Sequence, residues 1–160
     1  MTMTKDKPLT GAAGAYYVGF RLSALGYAVG LTTYGTKAID LFVAKPDTLK
    51  SVTIQTKTMF NALRTWKDGT CIWYWQVGIN VLHRLVSTSY FYAFVDLKGD
   101  LSQIPDVFIV PSRKLRNLLS PFPVGVDLDS PKVTSVWCNI QKDDAPKYKN
   151  RWDVIEDALA

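Results

Sequence analysis

Residues 39–44 (IDLFVA) and 52–58 (VTIQTKT) are rich in β-branched and apolar side chains, and KPDTLK at 45–50 joins them with a Pro46-Asp47 turn signal. Two such runs so close together read as a hairpin. Side chains alternate along a strand, so Gln55 and Lys57 share one face while Val52, Ile54 and Thr56 share the other. If Ala44 pairs with Ser51 across the loop, Asp40 falls opposite Gln55 and one diagonal step from Lys57. Three polar groups then gather at the open end of the hairpin. Asp47 also precedes Gln55 but sits in the turn, roughly 23 Å from Asp40 at about 3.3 Å per residue, too far to share a ligand with Gln55.

This set suits phosphodiester chemistry. A hard cation such as Mg²⁺ takes oxygen ligands, and the Asp40 carboxylate and the Gln55 side-chain carbonyl supply two. A bound metal lowers the pKa of a water and shields a phosphate, while Lys57 can orient that water or neutralise charge that develops on the transferred group. Taken alone, the same three residues are equally a charged hairpin end with Lys57 paired to Asp40 at the surface.

Composition limits the alternatives. A chain of 160 residues with 48% hydrophobic and 21% charged residues is expected to form one globular domain, with residues 1–9 flexible. A net charge of +5 and a pI near 9.2 suit a polyanionic partner. No run approaches the roughly 18 to 20 apolar residues of a spanning helix, and MTMTKDKP lacks a signal-peptide core, so a cytoplasmic, non-membrane protein is expected. Cys71 and Cys138 lie far apart without C-x-x-C spacing, which argues for reduced thiols over a zinc site. His83, the single histidine, lies in the apolar run VGINVLHRLV and reads as a packing or surface residue. Gly11-Ala12-Ala13-Gly14 has no Lys-Ser/Thr after it and is no nucleotide loop.

Residues 11–58, GAAGAYYVGFRLSALGYAVGLTTYGTKAIDLFVAKPDTLKSVTIQTKT, together with TWKDG, WYW, YAFVDL, PDVFIVP and Trp152-Asp153 downstream, resemble small bacterial members of the PD-(D/E)XK nuclease superfamily. These include restriction-endonuclease-like and Holliday-junction-resolvase-like proteins. The resemblance covers nearly the whole chain. It implies an α/β fold, a restriction-endonuclease-like core with a central mixed β-sheet flanked by helices. It also implies metal-dependent hydrolysis of duplex or branched DNA, with Asp40 and Gln55 on Mg²⁺ or Mn²⁺, Lys57 at the attacking water, and a homodimer gripping the duplex. One departure stands out. In that superfamily the first helix usually contributes an acid, at the position of Ala15 here, and no Asp or Glu occurs between Asp6 and Asp40. Losing that carboxylate removes a donor and a negative charge from a dication site. The alternative is therefore a silenced nuclease fold that binds nucleic acid or protein without cleaving.

The remaining elements follow from periodicity. The first helix is expected over 10–25, capped by Thr10 and ended by Gly26, and a strand over 27–33. The turn TTYGTK at 32–37 should place Tyr34 and Lys37 near the phosphate. A helix is expected over 76–87, behind the hairpin, with closing strands at 90–96 and 107–110. Trp75 reads as core, whereas Trp66 with Arg64 and Lys67 interleaves rings and cations as a nucleic-acid strand would require. Asp96 reads as a turn cap. Arg113, Lys114 and Arg116 make a candidate phosphate-binding edge on a helix after Pro111. The C-terminal segment, with Trp152, Val154, Ile155, Ala158 and Leu159 at helical spacing, should dock on the core.

Overall fold

The computed structural model describes residues 6–32, 38–84, 86–100 and 102–160. Helix α1, Lys7–Ala24, starts earlier than expected because Asp6 is its N-cap. The Asp6 carboxylate accepts from the Leu9 N–H at 3.1 Å, and Pro8 sits in the first turn, where its missing N–H costs nothing. Residues 7–9 are thus helical rather than flexible, and Thr10 is buried instead of capping. The helix ends before Gly26, whose φ of 92° few other residues adopt.

Five strands form the central sheet. Strands β1 (Ala28–Leu31), β2 (Leu41–Ala44) and β3 (Ser51–Met59) are antiparallel neighbours. The chain then leaves to build β4 (Leu63–Thr65) and β5 (Cys71–Val77) of a second sheet. It returns as β6 (Tyr90–Asp96), parallel to β3, with β7 (Asp106–Pro111) antiparallel beside it. The one-turn helix α2 (Ser112–Leu115) and a 3₁₀ turn follow. Strands β8 (Leu119–Phe122) and β9 (Ser135–Gln141) then complete the second, four-stranded sheet in the order β4-β5-β9-β8. Helix α3 (Asp153–Leu159) closes the chain.

Strand β6 organises the interior. All seven of its residues are buried, so both of its faces are covered. Phe91, Ala93 and Val95 face a core with Val18 and Leu22 of α1, Leu41, Val43 and Ile54 of the hairpin, and Ile155 and Leu159 of α3. The C-terminal helix docks as its spacing predicts. Tyr90, Tyr92 and Phe94 face the second sheet, where Trp75, Val136, Cys138 and Ile140 meet Phe108 and Val110. Trp75 is fully buried and donates its indole N–H to the Val95 carbonyl at 3.0 Å, core as expected.

The expectation of a central sheet flanked by helices holds on one face only. Helices cover one face, and the four-stranded sheet covers the other. The helix expected over 76–87 reduces to the 3₁₀ turn Ile79–His83, because the alternation of Trp73, Trp75 and Val77 carries β5 to Val77 and Gly78 follows in extended backbone. Helix α2 is likewise a single turn. No helix among the described residues is long and apolar enough to cross a membrane.

Candidate phosphate site

The β2–β3 register pairs Ala44 with Ser51, Val43 with Val52, Phe42 with Thr53 and Leu41 with Ile54. The short loop fixes this register as the spacing predicts. The ladder ends at Leu41: the Asp40 N–H donates to the carbonyl of Ile54, the partner of Leu41, at 2.9 Å, so Asp40 and Leu41 share one partner as in a β-bulge, and the expected placement of Asp40 opposite Gln55 on the face of Lys57 is corrected. The Asp40 carboxylate turns to the strand beside it: Oδ2 accepts from the Thr56 N–H at 2.6 Å and from the Thr56 hydroxyl at 2.9 Å.

Gln55 and Lys57 point to the other face of β3, beside Tyr92 and Phe94 in the parallel register with β6. Gln55 is buried, and its carbonyl oxygen is occupied by the Arg84 guanidinium, which donates from Nη1. The Tyr90 hydroxyl lies 3.3 Å from the same oxygen and 3.5 Å from Arg84 Nη1, and donates to the Ala38 carbonyl at 2.7 Å. Ala38 has a φ of 90°, a strained value for a residue with a Cβ, and Tyr90 holds the loop that enters Asp40 in that shape. Half-buried Lys57 has its pKa lowered: burial is the main cause, the Asp40 carboxylate opposes it, and the Arg84 guanidinium adds to it. Tyr92, beside them, has its hydroxyl pKa pushed up by burial and by Tyr90.

Helix α1 approaches β3 one residue beyond Lys57. A Cβ on Gly14 would fall 1.9 Å from the Thr58 hydroxyl oxygen, so only glycine permits this contact. The turn that carries half-buried Ala15 therefore packs against the strand of Gln55 and Lys57, yet brings it no acid.

The site does not fit a divalent cation in this arrangement. Oδ2 of Asp40 carries two donors, the Gln55 oxygen carries a guanidinium, and the described residues contain no group of three His, Cys, Asp or Glu side chains able to hold an ion. The local charge also has the wrong sign, since Lys57 and Arg84 outnumber the one carboxylate. What the geometry favours is an anion.

The other sequence-derived residues divide. Lys37 and Tyr34 lie outside the described residues. Arg116 shares a pocket with Arg84, Tyr92 and Ser112, and pairs with Asp129 at 2.6 Å. Arg113 and Lys114 are exposed on α2, and Arg64 and exposed Lys67 belong to the β4 edge of the second sheet. Asp96 caps a turn as expected, accepting from the backbone N–H groups of Ala62 and Lys98, each at 2.9 Å. His83 is exposed, and both cysteines are free, with the Cys138 thiol pKa pushed up by burial. The residues that sequence reasoning missed are Arg84 and Tyr90. The available signal was a cation inside the apolar run VGINVLHRLV, which must find an acceptor if the run is covered.

The fold and site define a mixed α/β protein with a cationic cluster at the mouth of its β2–β3 hairpin. No family model, no curated protein and no solved structure matches the chain.

Proposed function

We propose that this chain is a nucleic-acid-binding module built on a nuclease-like core, which holds a backbone phosphate against Lys57 and Arg84 and does not hydrolyse it. The observation that carries this reading is the Arg84 guanidinium on Gln55, because it puts a fixed positive charge where a hydrolytic site would need a dication. A guanidinium has five N–H donors in a rigid fork, so Arg84 can hold Gln55 and still offer donors to a phosphate oxygen. Lys57 adds a second, partly desolvated cation, and an arriving phosphate would restore the charge that burial disfavours. Asp40, anchored by Thr56, steadies the lysine through its charge. DNA, duplex or branched, is the proposed partner, with a homodimer as the proposed way to cover more of it. The resemblance to nucleases enters as fold-level analogy.

Metal-dependent DNA hydrolysis is the second reading. It is favoured by the closeness of the Asp40 charge to Lys57, and it requires a further acid, release of Gln55 from Arg84 and a turn of the Asp40 carboxylate off Thr56. A plasmid-nicking assay with Mg²⁺ or Mn²⁺ separates the two. The parent protein and Lys57→Ala are expected to leave the plasmid intact. Nicking by the parent that disappears in Lys57→Ala would establish the hydrolytic reading instead. Nicking that emerges in an Ala15→Glu, Arg84→Ala double variant would agree with a scaffold from which the acid has been lost.

A further inference from the structure

We propose that the outer face of the second sheet is a platform for the unpaired bases of a single-stranded nucleic acid, a site distinct from the Lys57–Arg84 cluster. Strands β5 and β9 send Trp75, Val77, Val136, Cys138 and Ile140 inward. Their alternate residues Tyr74, Trp137 and Asn139 therefore stand on the solvent side. Together with Arg64, Trp66 and Phe122 they line an open depression of about 430 Å³.

The rings are arranged and accessible. Tyr74 and Trp137 lie 5.1 Å apart between centroids, while Trp66 is 51% exposed and Phe122 53%. A sheet that merely needed a wet outer face would carry polar residues here, and grouped exposed aromatics mark a binding surface. Arg64 is the second element. Its guanidinium sits 5.1 Å from the Tyr74 ring and is tethered by hydrogen bonds from Nη1 to the carbonyls of Asn61, at 3.2 Å, and Leu63, at 3.0 Å. It is thus positioned beside the rings before any ligand arrives.

Charge selects the occupant. The lining residues include a cation and no carboxylate, and Lys67 follows Trp66 on the same edge. Bases stack on rings irrespective of sequence, and the phosphates between them need cations at the rim. Asn139, whose amide donates to the Ser120 hydroxyl at 2.8 Å, retains its carbonyl for a base edge. A neutral glycan would use the rings and leave Arg64 without a role.

The test is equilibrium binding of oligothymidylate followed by tryptophan fluorescence. The panel is the parent protein, Trp66→Ala, Arg64→Ala, and the Lys57→Ala, Arg84→Ala double variant. Both platform residues are at the surface, so circular dichroism and the thermal midpoint should not change. Trp66→Ala is expected to weaken oligothymidylate by about ten-fold, the loss of one stacked base. Arg64→Ala should weaken it too, and the double variant should bind as the parent does. The proposal is overturned if oligothymidylate does not bind, if Trp66→Ala binds like the parent, or if only the double variant loses binding. Quenching by a neutral oligosaccharide or an apolar peptide, but not by oligothymidylate, would overturn it equally. Duplex binding in the same panel reports on the Lys57–Arg84 site, so the two proposals fail separately.

Discussion

Lys57 shows what burial does to a single charged side chain. Burial lowers its pKa more than Asp40 restores it, and Arg84 lowers it further. The unfolded chain keeps this proton until the ordinary lysine value near 10.4. The folded protein therefore carries a penalty at neutral pH, which fades as the pH rises from the folded value to the unfolded one. Lys57→Met keeps the aliphatic stem and removes the charge. Its thermal midpoint is expected above the parent's at pH 7, with the gap closing as the pH approaches about 10. A less stable variant, or a gap that does not depend on pH, would contradict this account of the lysine. Lys57 was legible in the sequence because alternation along β3 sets its face. Its neighbour Arg84 was not, since its partner Gln55 lies 29 residues away and only the folded sheet joins them.

Among the elements, the hairpin was the most legible. Turn chemistry and loop length fix its register from Ala44–Ser51 to Leu41–Ile54 as the spacing requires, but Asp40 slips one residue, bonding Ile54 by its N–H and Thr56 by its carboxylate. The segment after Trp75 was misread because an apolar run fits a buried strand and a helix face alike, and Gly78 decides between them. Helix α1 was legible in type but not in how closely it approaches β3. That approach rests on Gly14 against Thr58. In an exposed helix Gly→Ala stabilises by about 1 kcal/mol. Here the added methyl would meet the Thr58 hydroxyl oxygen at 1.9 Å and its Cβ at 2.9 Å. Gly14→Ala is therefore expected to destabilise by about 1 to 3 kcal/mol in urea unfolding, as overpacking does. Adding Thr58→Ala, which removes the hydroxyl and methyl that crowd this spot, should recover part of the loss. A Gly14→Ala protein as stable as its parent would mean that the helix is free to move off the strand.

At the scale of the whole molecule, β6 is the shared wall of two cores, one under helices and one under the second sheet. The sheet covering could not be read from local patterns, because β4 and β5 lie far in sequence from β8 and β9 and meet them only in the fold. Its inward Trp75 was predicted to be core, but its outer row of rings needed the register of β5 and β9 to appear. The two surfaces proposed for nucleic acid differ in chemistry: a cationic cluster at the hairpin mouth for phosphate, and an aromatic face for bases. Only the first bears on the choice between the proposed binding and hydrolytic readings.

The most direct test of that site is equilibrium binding of a short duplex DNA by fluorescence anisotropy, in EDTA and in Mg²⁺, over a range of salt concentrations. The account predicts that Mg²⁺ does not strengthen binding and weakens it only as a competing counterion. It also predicts that Arg84→Ala weakens binding and lowers the slope of log affinity against log salt by about 0.9, one phosphate contact. Binding that requires Mg²⁺ and does not respond to Arg84→Ala would contradict it, and would return the site to a metal-dependent enzyme.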